Sequence, residues 1–176
     1  MVIKIAEGTL NTQYGSYREF LYYDGQKETI ALVMGDIKNE AAVLCRVHSA
    51  CLAGHVFNSI ECDCREQFAG SQQLIQEAGK GVIIYLDQEG KANGHFALLK
   101  SKEYKQRGLS QAASYAAVGF SSDARDFTRA AEILVDLGVL SISMLTDNPD
   151  KINTLAQYGI NVVGTKQIMI GETDGN

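Results

Sequence analysis

Short strand-like runs dominate residues 1–50 of the chain. These runs are rich in β-branched and aromatic residues, and Gly, Asp and Asn turn signals separate them. In chain order they read "MVIKIAEG", "YREFLYY", "TIALVMG" and "AAVLCRVH". Short strands joined by tight turns predict an antiparallel, β-rich N-terminal part.

Helical spacing appears after Cys62, where one helical face is shared by Phe68, Ser71, Leu74, Ile75 and Ala78. Gly79 and Gly81 end this helix before a buried-strand run, "VIIYL". A second apolar face follows the same spacing at Phe127, Ala130, Ala131, Leu134 and Leu137. It leads through Gly138 to another apolar strand, "SISML".

The segment "TDNPDKINTLAQYGI" predicts one more helix, with Asn148 as its cap, Pro149 at its first position and Gly159 near its end. The chain therefore predicts an α/β fold of α+β-like character, in which an antiparallel β-rich part precedes alternating helices and strands. The pattern contains no repeat or linker, so we expect a single domain over residues 1–176. Functional residues are expected at the strand-to-helix junctions, notably 87–95 and 146–151.

Composition narrows the class of protein. A hydrophobic fraction of 45% and a charged fraction of 21% are typical of a globular protein. The net charge of −5 argues against a general nucleic-acid binder, although it leaves room for a local phosphate pocket. The N-terminus lacks the pattern of a signal peptide, and no apolar run approaches the roughly 18 residues of a membrane span. We therefore expect a cytoplasmic protein with no membrane partner.

All four cysteines lie between positions 45 and 64, and three of them follow the pattern C-x10-C-x-C. In a reducing compartment, clustered cysteines are more often metal ligands or catalytic thiols than disulfides. Three protein ligands are typical of a catalytic zinc site, which keeps a fourth position for water. Buried apolar thiols are the alternative, and Cys45 inside "AAVLC" fits it best. For Cys51, Cys62 and Cys64 the spacing favours a metal, with His48 or His55 as a substitute ligand.

The segments "RVHSACLAGH" and "CDCREQ" resemble GTP cyclohydrolase II, whose pattern reads R-V-H-S-E-C-L-T-G-D and then C-D-C-G-x-Q. Later blocks agree in order and spacing. "LDQEGKANGH" is similar to the family's R-Q-E-G-R-G-I-G-L, "GFSSDARDF" to its helix region and "LTDNPDK" to L-T-N-N-P-x-K. The resemblance covers residues 40–165 and implies a cyclohydrolase II-like fold, an EC 3.5.4-type hydrolase and a homodimer.

The resemblance implies a role for each matched residue. Cys51, Cys62 and Cys64 would hold Zn²⁺, Asp123 would be the general base, and Arg125 would be the nucleophile toward the α-phosphate. Nucleotide contacts would come from Arg46, Val47, His48, Ser49, Gln67, Glu89, Gly90, Lys91, Gln111, Thr146 and Lys151. The implied reaction opens the imidazole ring of GTP with loss of formate and pyrophosphate, and Mg²⁺ would assist at the phosphates.

Charge and hydrogen bonding fit these roles. Arg and Lys donate to phosphate oxygens, and a carboxylate such as that of Glu89 can accept two hydrogen bonds from a guanine-like edge. By itself, however, a D-x-R-D run such as the one at Asp123 is more often a solvated helix start.

Several pocket positions differ from the family. Asp87 stands in place of an Arg, Lys91 in place of a second Arg, and Ala50 in place of a Glu. Lys102 stands where the family has its active-site Tyr, and we expect this cation to act in catalysis near the metal. The helical segment "LSQAASYAAVGF" places Gln111, Ala113 and Tyr115 where the family has Thr, Glu and Asn.

Three functions remain open at this point. The first is ring opening of GTP or a related purine nucleotide, with an altered substrate or product. The second is a zinc hydrolase for another base, such as a pyrimidine or a modified purine. The third is a catalytically silent nucleotide-binding module, which would need neither Asp123 nor Arg125.

Overall fold

A seven-stranded sheet with the order β1-β2-β3-β5-β4-β6-β7 organises the computed structural model, which describes residues 1–148 and 152–168. The strands are β1 (Ile3–Thr12), β2 (Gly15–Tyr23), β3 (Glu28–Met34), β4 (Val43–Ser49), β5 (Gly81–Leu86), β6 (Ile142–Leu145) and β7 (Val162–Lys166). The helices are α1 (Leu52–His55), α2 (Cys64–Ala78), α3 (His95–Gln106), α4 (Gln111–Ala117), α5 (Thr128–Leu137) and α6 (Asn153–Ala156).

The N-terminal part is antiparallel, as the strand and turn pattern predicts. Strand β1 pairs with β2, β2 pairs with β3, and β3 continues antiparallel onto β5. The predicted fold class, a β-rich start followed by mixed α/β structure, is confirmed.

Strand β4 is the exception, because it pairs parallel with both β5 and β6. The expectation that all of residues 1–50 form antiparallel structure is therefore wrong for this strand. Helix α2 crosses over between β4 and β5, and such a crossover leaves the two strands parallel. The apolar run "AAVLC" could not reveal this, because it is equally consistent with a buried antiparallel strand.

Two predicted helices are confirmed. Helix α2 ends at Ala78, where Gly79 takes a left-handed φ of 76°, and α5 ends at Leu137 before Gly138 with a φ of 75°. Buried residues of α5, such as Ile133 and Leu134, pack into the main core against the sheet. The predicted helix start at Pro149 lies outside the described residues.

The amphipathic pattern missed several elements. Helix α1 has only 4 residues, and α3 has an apolar run at residues 96–99 followed by mostly polar and charged residues, without a clear apolar face. Strand β7 is half exposed at the edge of the sheet. Across the described residues, no helix has the length and apolar character needed to cross a membrane.

Parallel pairing places the functional segments together. Strands β5, β4 and β6 run in the same direction, and Ser49 at the end of β4 pairs with Leu86 at the end of β5. The residues that follow these strands therefore emerge at one edge of the sheet, where open α/β sheets bind ligands. The cysteine segment follows β4, the Glu89 segment follows β5, and Thr146 follows β6.

Candidate active site and metal centre

The side chains of Cys51, Cys62 and Cys64 converge at this edge, and their Sγ atoms all lie within 4.8 Å of one another. Cys51 caps α1, Cys64 begins α2, and the Sγ atoms of Cys51 and Cys62 are 3.6 Å apart. Cys45 instead lies in the core with 0% exposure, and burial raises the pKa of its thiol to about 12. The division of the cysteines made from spacing agrees with this arrangement.

Gly54 makes the convergence of the thiols possible. A Cβ atom at this position would lie 2.8 Å from the Sγ of Cys62 and 3.4 Å from the Sγ of Cys51. The first distance is too short for non-bonded atoms, so any larger residue would push the thiols apart. Sequence reasoning missed Gly54, although it matches the glycine of the family's L-T-G-D segment.

The chemistry of the three thiols fits a bound cation. Burial raises the pKa values of Cys51 and Cys64, and the thiol of Cys62 adds to this effect at both residues because thiolates repel one another. A divalent cation at the centre would offset that repulsion and stabilise the thiolate forms. Sulfur ligands in a compact group are those that Zn²⁺ prefers. Within residues 1–148 and 152–168, neither His48 nor His55 joins this group.

Arg46 supports the site from beneath. This residue is only 7% exposed. Its guanidinium donates to Gln67 Oε1 at 2.7 Å and to the carbonyl oxygen of Leu145 at 3.2 Å. The amide of Gln67 donates in turn to both carboxylate oxygens of Asp63, each at 3.0 Å. Arg46 therefore ties the middle of β4 to the end of β6 and to the first turn of α2. Its role at a phosphate stays a prediction.

His48 connects Arg46 to the cysteine segment. Since arginine is always a donor, the Nδ1 of His48 accepts from Arg46 at 3.3 Å, and its Nε2 therefore carries the proton. That proton points to the Nε2 of His55, 2.8 Å away. Burial, and then the charge of Arg65, lower the pKa of His55, which favours the neutral ring that this contact requires.

Glu89 follows β5 and links the end of this strand to the cysteine segment that follows β4. Its Oε1 accepts from the backbone N–H of Leu52 at 3.1 Å and lies 3.0 Å from the Nδ1 of His95. Leu52 directly follows Cys51 in the sequence. The carboxylate predicted to recognise a purine base therefore lies beside the segment of Cys51.

The turn after Glu89 has an uncommon backbone. Gly90, Lys91 and Ala92 have consecutive left-handed φ values of 62°, 52° and 67°. At Gly90 a side chain is excluded, because a Cβ atom would lie 2.6 Å from the carbonyl oxygen of Gly94. Lys91 and Ala92 adopt a conformation that costs non-glycine residues roughly 1–2 kcal/mol each.

This turn holds the segment that carries Asp123. The joining hydrogen bonds pair Lys91 O with Ala124 N at 2.9 Å, Asn93 Nδ2 with Ser121 O at 2.8 Å, and Gln88 Oε1 with Asp126 N at 3.1 Å. Gln88 was not recognised from the sequence as a site residue. The Asp123 segment, distant in the sequence, is thereby fixed beside Glu89.

Asp123 and Arg125 form a bidentate ion pair. Arg125 Nε donates to Asp123 Oδ1 at 3.0 Å, and one of its terminal nitrogens donates to Oδ2 at 2.7 Å. Partial burial is the largest single influence on Asp123 and raises its pKa. The hydrogen bonds from Arg125 and the charges of Arg125 and Lys91 together outweigh it, so the pKa of Asp123 lies below its usual range.

The remaining predicted residues that the structure describes lie on several different elements. Lys102 lies on α3, where its Nζ is 3.3 Å from Glu61 Oε2 in an exposed ion pair. Gln111 Nε2 donates to Ser101 Oγ at 3.0 Å.

The other predicted contacts belong to the sheet and its edge. Val47 packs against the core, Ser49 ends β4, and Thr146 is 4% exposed. Lys151 lies outside the described residues, and the roles of all these side chains remain predictions.

Replacing Ala92 with Gly should stabilise the fold by roughly 0.5–1 kcal/mol, because Gly adopts a φ of 67° without strain. Ala116→Gly, at an exposed position of helix α4, is the matched control and should destabilise by a similar amount. Urea unfolding of the two variants measures both effects. Equal losses of stability in both variants would show that the left-handed turn carries no strain at Ala92.

Comparisons with known proteins identify the family. The family model described as GTP cyclohydrolase II matches residues 3–167. A GTP cyclohydrolase-2 of Histophilus somni is 40% identical over 174 residues, which cover 98% of this chain and 81% of that protein. One from Haemophilus influenzae is 38% identical over 175 residues, with the same shares covered.

A solved structure supports the fold alone. RibBX of A. baumannii, a two-domain 3,4-dihydroxy-2-butanone 4-phosphate synthase, aligns with a TM-score of 0.52 and 20% identity. The alignment covers 97% of this chain and 40% of that one. The match to the family model and the curated relatives confirm the resemblance read from the motifs, and the chain belongs to the GTP cyclohydrolase II family.

Proposed function

We propose that this protein is a zinc-dependent hydrolase that opens the imidazole ring of GTP or a related purine nucleotide, with release of formate, pyrophosphate or both. The observation that carries the proposal is the hydrogen bond from Leu52 N to Glu89. This contact supports the proposal because the Glu89 carboxylate, which would recognise the base, lies beside the backbone of the Cys51 segment. The turn after Glu89 is also hydrogen-bonded to the segment that carries Asp123. As the resemblance implies, the proposal includes a cytoplasmic homodimer.

Cys51, Cys62 and Cys64 would hold the zinc ion. When bound, such an ion lowers the pKa of a coordinated water from about 15.7 to about 7 and so supplies a nucleophile at neutral pH. With three thiolates as protein ligands, a fourth position would be left for that water, as in catalytic zinc sites.

Glu89 would orient the base. In the part of the chain that the structure describes, both hydrogen-bonding contacts of Glu89 use Oε1, so Oε2 is the oxygen expected to accept from the N–H edge of a purine. Gly90 allows the base to approach closely, because this residue carries no side chain above the turn.

Asp123 and Arg125 would change partners when the nucleotide binds. In the resting site Arg125 keeps Asp123 ionised but weakly basic. If Arg125 turns toward a phosphate, Asp123 loses its hydrogen bonds and the nearby charge, so its pKa rises toward that of a useful base. Binding of the phosphates would thereby prepare the carboxylate to accept a proton.

The phosphates would be held by cations around this pair. Lys91 and Arg125 lie beside Asp123, and Arg46 and Lys151 are the cations that match the family's phosphate contacts. Mg²⁺ at the phosphates would neutralise the remaining charge. The segment formed by Val47, His48 and Ser49 would also contact the triphosphate.

Incubation of the zinc-loaded protein with GTP, ATP, CTP and guanosine tests the function. Ultraviolet change, formate and pyrophosphate are followed together. We expect a purine triphosphate to lose its imidazole ring and the free nucleoside to be a much poorer substrate, because it lacks phosphates. Binding without turnover would contradict the proposal and favour the silent nucleotide-binding module.

A second candidate is hydrolysis of another base. The amide of Gln111, at a position where the family has a nucleotide-contacting Thr, donates to Ser101 on the neighbouring helix. This contact favours a base pocket that differs from that of the relatives. Turnover of CTP or a modified purine, but not of GTP, would support this candidate.

A further inference from the structure

Tyr115 on α4 is buried, with 1% of the residue exposed, yet within the described residues its hydroxyl has no hydrogen-bond partner. Two other equally buried tyrosines behave as expected. The hydroxyl of Tyr17 donates to the carbonyl oxygen of Gln72 at 3.2 Å, and that of Tyr22 donates to Asp136 Oδ2 at 2.6 Å. Buried tyrosine hydroxyls usually find a partner, so Tyr115 requires an explanation.

The polar end of Tyr115 reaches an opening. Its hydroxyl oxygen keeps some contact with solvent. Since almost all of the residue is covered, the small exposed part includes this oxygen. The ring is therefore fixed by packing, and an accessible donor remains at its tip.

The groups around that tip are those of the candidate active site. A Cβ atom at Gly90 would lie 3.3 Å from the hydroxyl oxygen, so the phenol lies against the Glu89 turn. Burial raises the pKa of Tyr115 to about 12, and the charges of Glu89, Cys51 and Asp123 add to the effect. At neutral pH the side chain is a neutral hydrogen-bond donor.

Lys102 occupies a different environment. Its ammonium group pairs with Glu61 at the exposed surface, where its side chain is 45% exposed. The side chain enclosed by the site is therefore the phenol of Tyr115 and not the ammonium of Lys102.

We propose that Tyr115 is a catalytic residue, whose hydroxyl donates a hydrogen bond to the purine base of the bound substrate between Cys51, Glu89 and Asp123. This inference rests on the proposed function and names one further group for it. A donor that is already oriented and has no internal partner needs no reorganisation when negative charge develops on the base. Removing such a donor typically costs about 10²–10³ in kcat.

Tyr115→Phe tests the inference, and Tyr22→Phe is the matched control because it deletes a buried hydroxyl in β2. Tyr115→Phe should keep the wild-type urea midpoint and zinc content, since its hydroxyl has no internal partner. Its kcat for ring opening should fall by about 10²–10³-fold. Tyr22→Phe should show the opposite pattern, with a lower urea midpoint and wild-type kcat.

Calorimetric titration with a non-hydrolysable purine triphosphate analogue provides a second readout. We expect roughly 2- to 10-fold weaker binding by Tyr115→Phe. Wild-type kcat together with wild-type affinity in this variant would overturn the role of Tyr115 and leave the proposed function intact. If the wild type opens no purine ring, the proposed function fails, and the calorimetric difference then decides about Tyr115. A loss of stability as large as that of Tyr22→Phe would assign the hydroxyl a structural role and also overturn the inference.

Discussion

Replacing Cys62 and Cys64 together by serine is expected to reduce bound zinc from about one equivalent per chain to almost none. These residues are two of the three thiols that lie within 4.8 Å of one another. A serine hydroxyl does not ionise near neutral pH and is a poor ligand for zinc. Since structural zinc binding contributes roughly 10–16 kcal/mol in small peptide sites, losing two ligands should also lower thermal stability in the presence of zinc.

Elemental analysis of the purified variants measures this effect. Cys45→Ala is the control, because Cys45 lies in the apolar core and an alanine there leaves no unpaired polar group. The control should retain its zinc despite some loss of stability from the cavity. Full zinc occupancy in the Cys62→Ser, Cys64→Ser protein would show that the three thiols do not hold the ion.

Replacing Asp123 with Asn is expected to lower kcat for ring opening by about 10²–10⁴-fold, which is the usual contribution of a positioned general base. The amide has nearly the shape of the carboxylate but cannot accept a proton. Nucleotide affinity should change much less, since the substitution also leaves Arg125 free to reach the phosphates. Steady-state kinetics and calorimetry separate the two quantities.

Asp126→Asn is the matched control in the same segment. Asp126 Oδ1 accepts from the backbone N–H of Thr128 at 2.9 Å at the start of α5, and an asparagine can make the same contact. This variant should therefore keep both its stability and its turnover. If Asp123→Asn retains wild-type kcat, Asp123 is not the base, and its ion pair with Arg125 only shapes the loop.

Local sequence predicted the helices with strong apolar faces. The faces of α2 and α5 repeat at helical spacing, and the two helices end before Gly79 and Gly138. The helical period and the glycines that end each helix were together sufficient to predict both helices. Helix α3 lacks such a face, and edge strand β7 is half exposed. Weak or absent burial removes the periodic signal, which explains why these elements were missed.

The residues of the candidate site also differ in whether the sequence alone could identify them. Spacing separated Cys45 from the other cysteines, because a closely spaced triple is a local property of the chain. Gly54 and Gln88 carry no such signal. Their importance comes from contacts with Cys62 and with Asp126, and the second of these partners lies 38 positions away in the sequence.

The sequence by itself therefore determined the family, the cysteines that converge and the junctions that carry polar residues. Only the tertiary structure decided how these segments meet. Parallel pairing of β4 with β5 and β6 brings three distant junctions to one edge of the sheet. Packing decided that Tyr115 turns its hydroxyl into the site while Lys102 pairs with Glu61 at the surface. Residue type and spacing are local, whereas strand direction and side-chain burial depend on contacts between segments far apart in the chain.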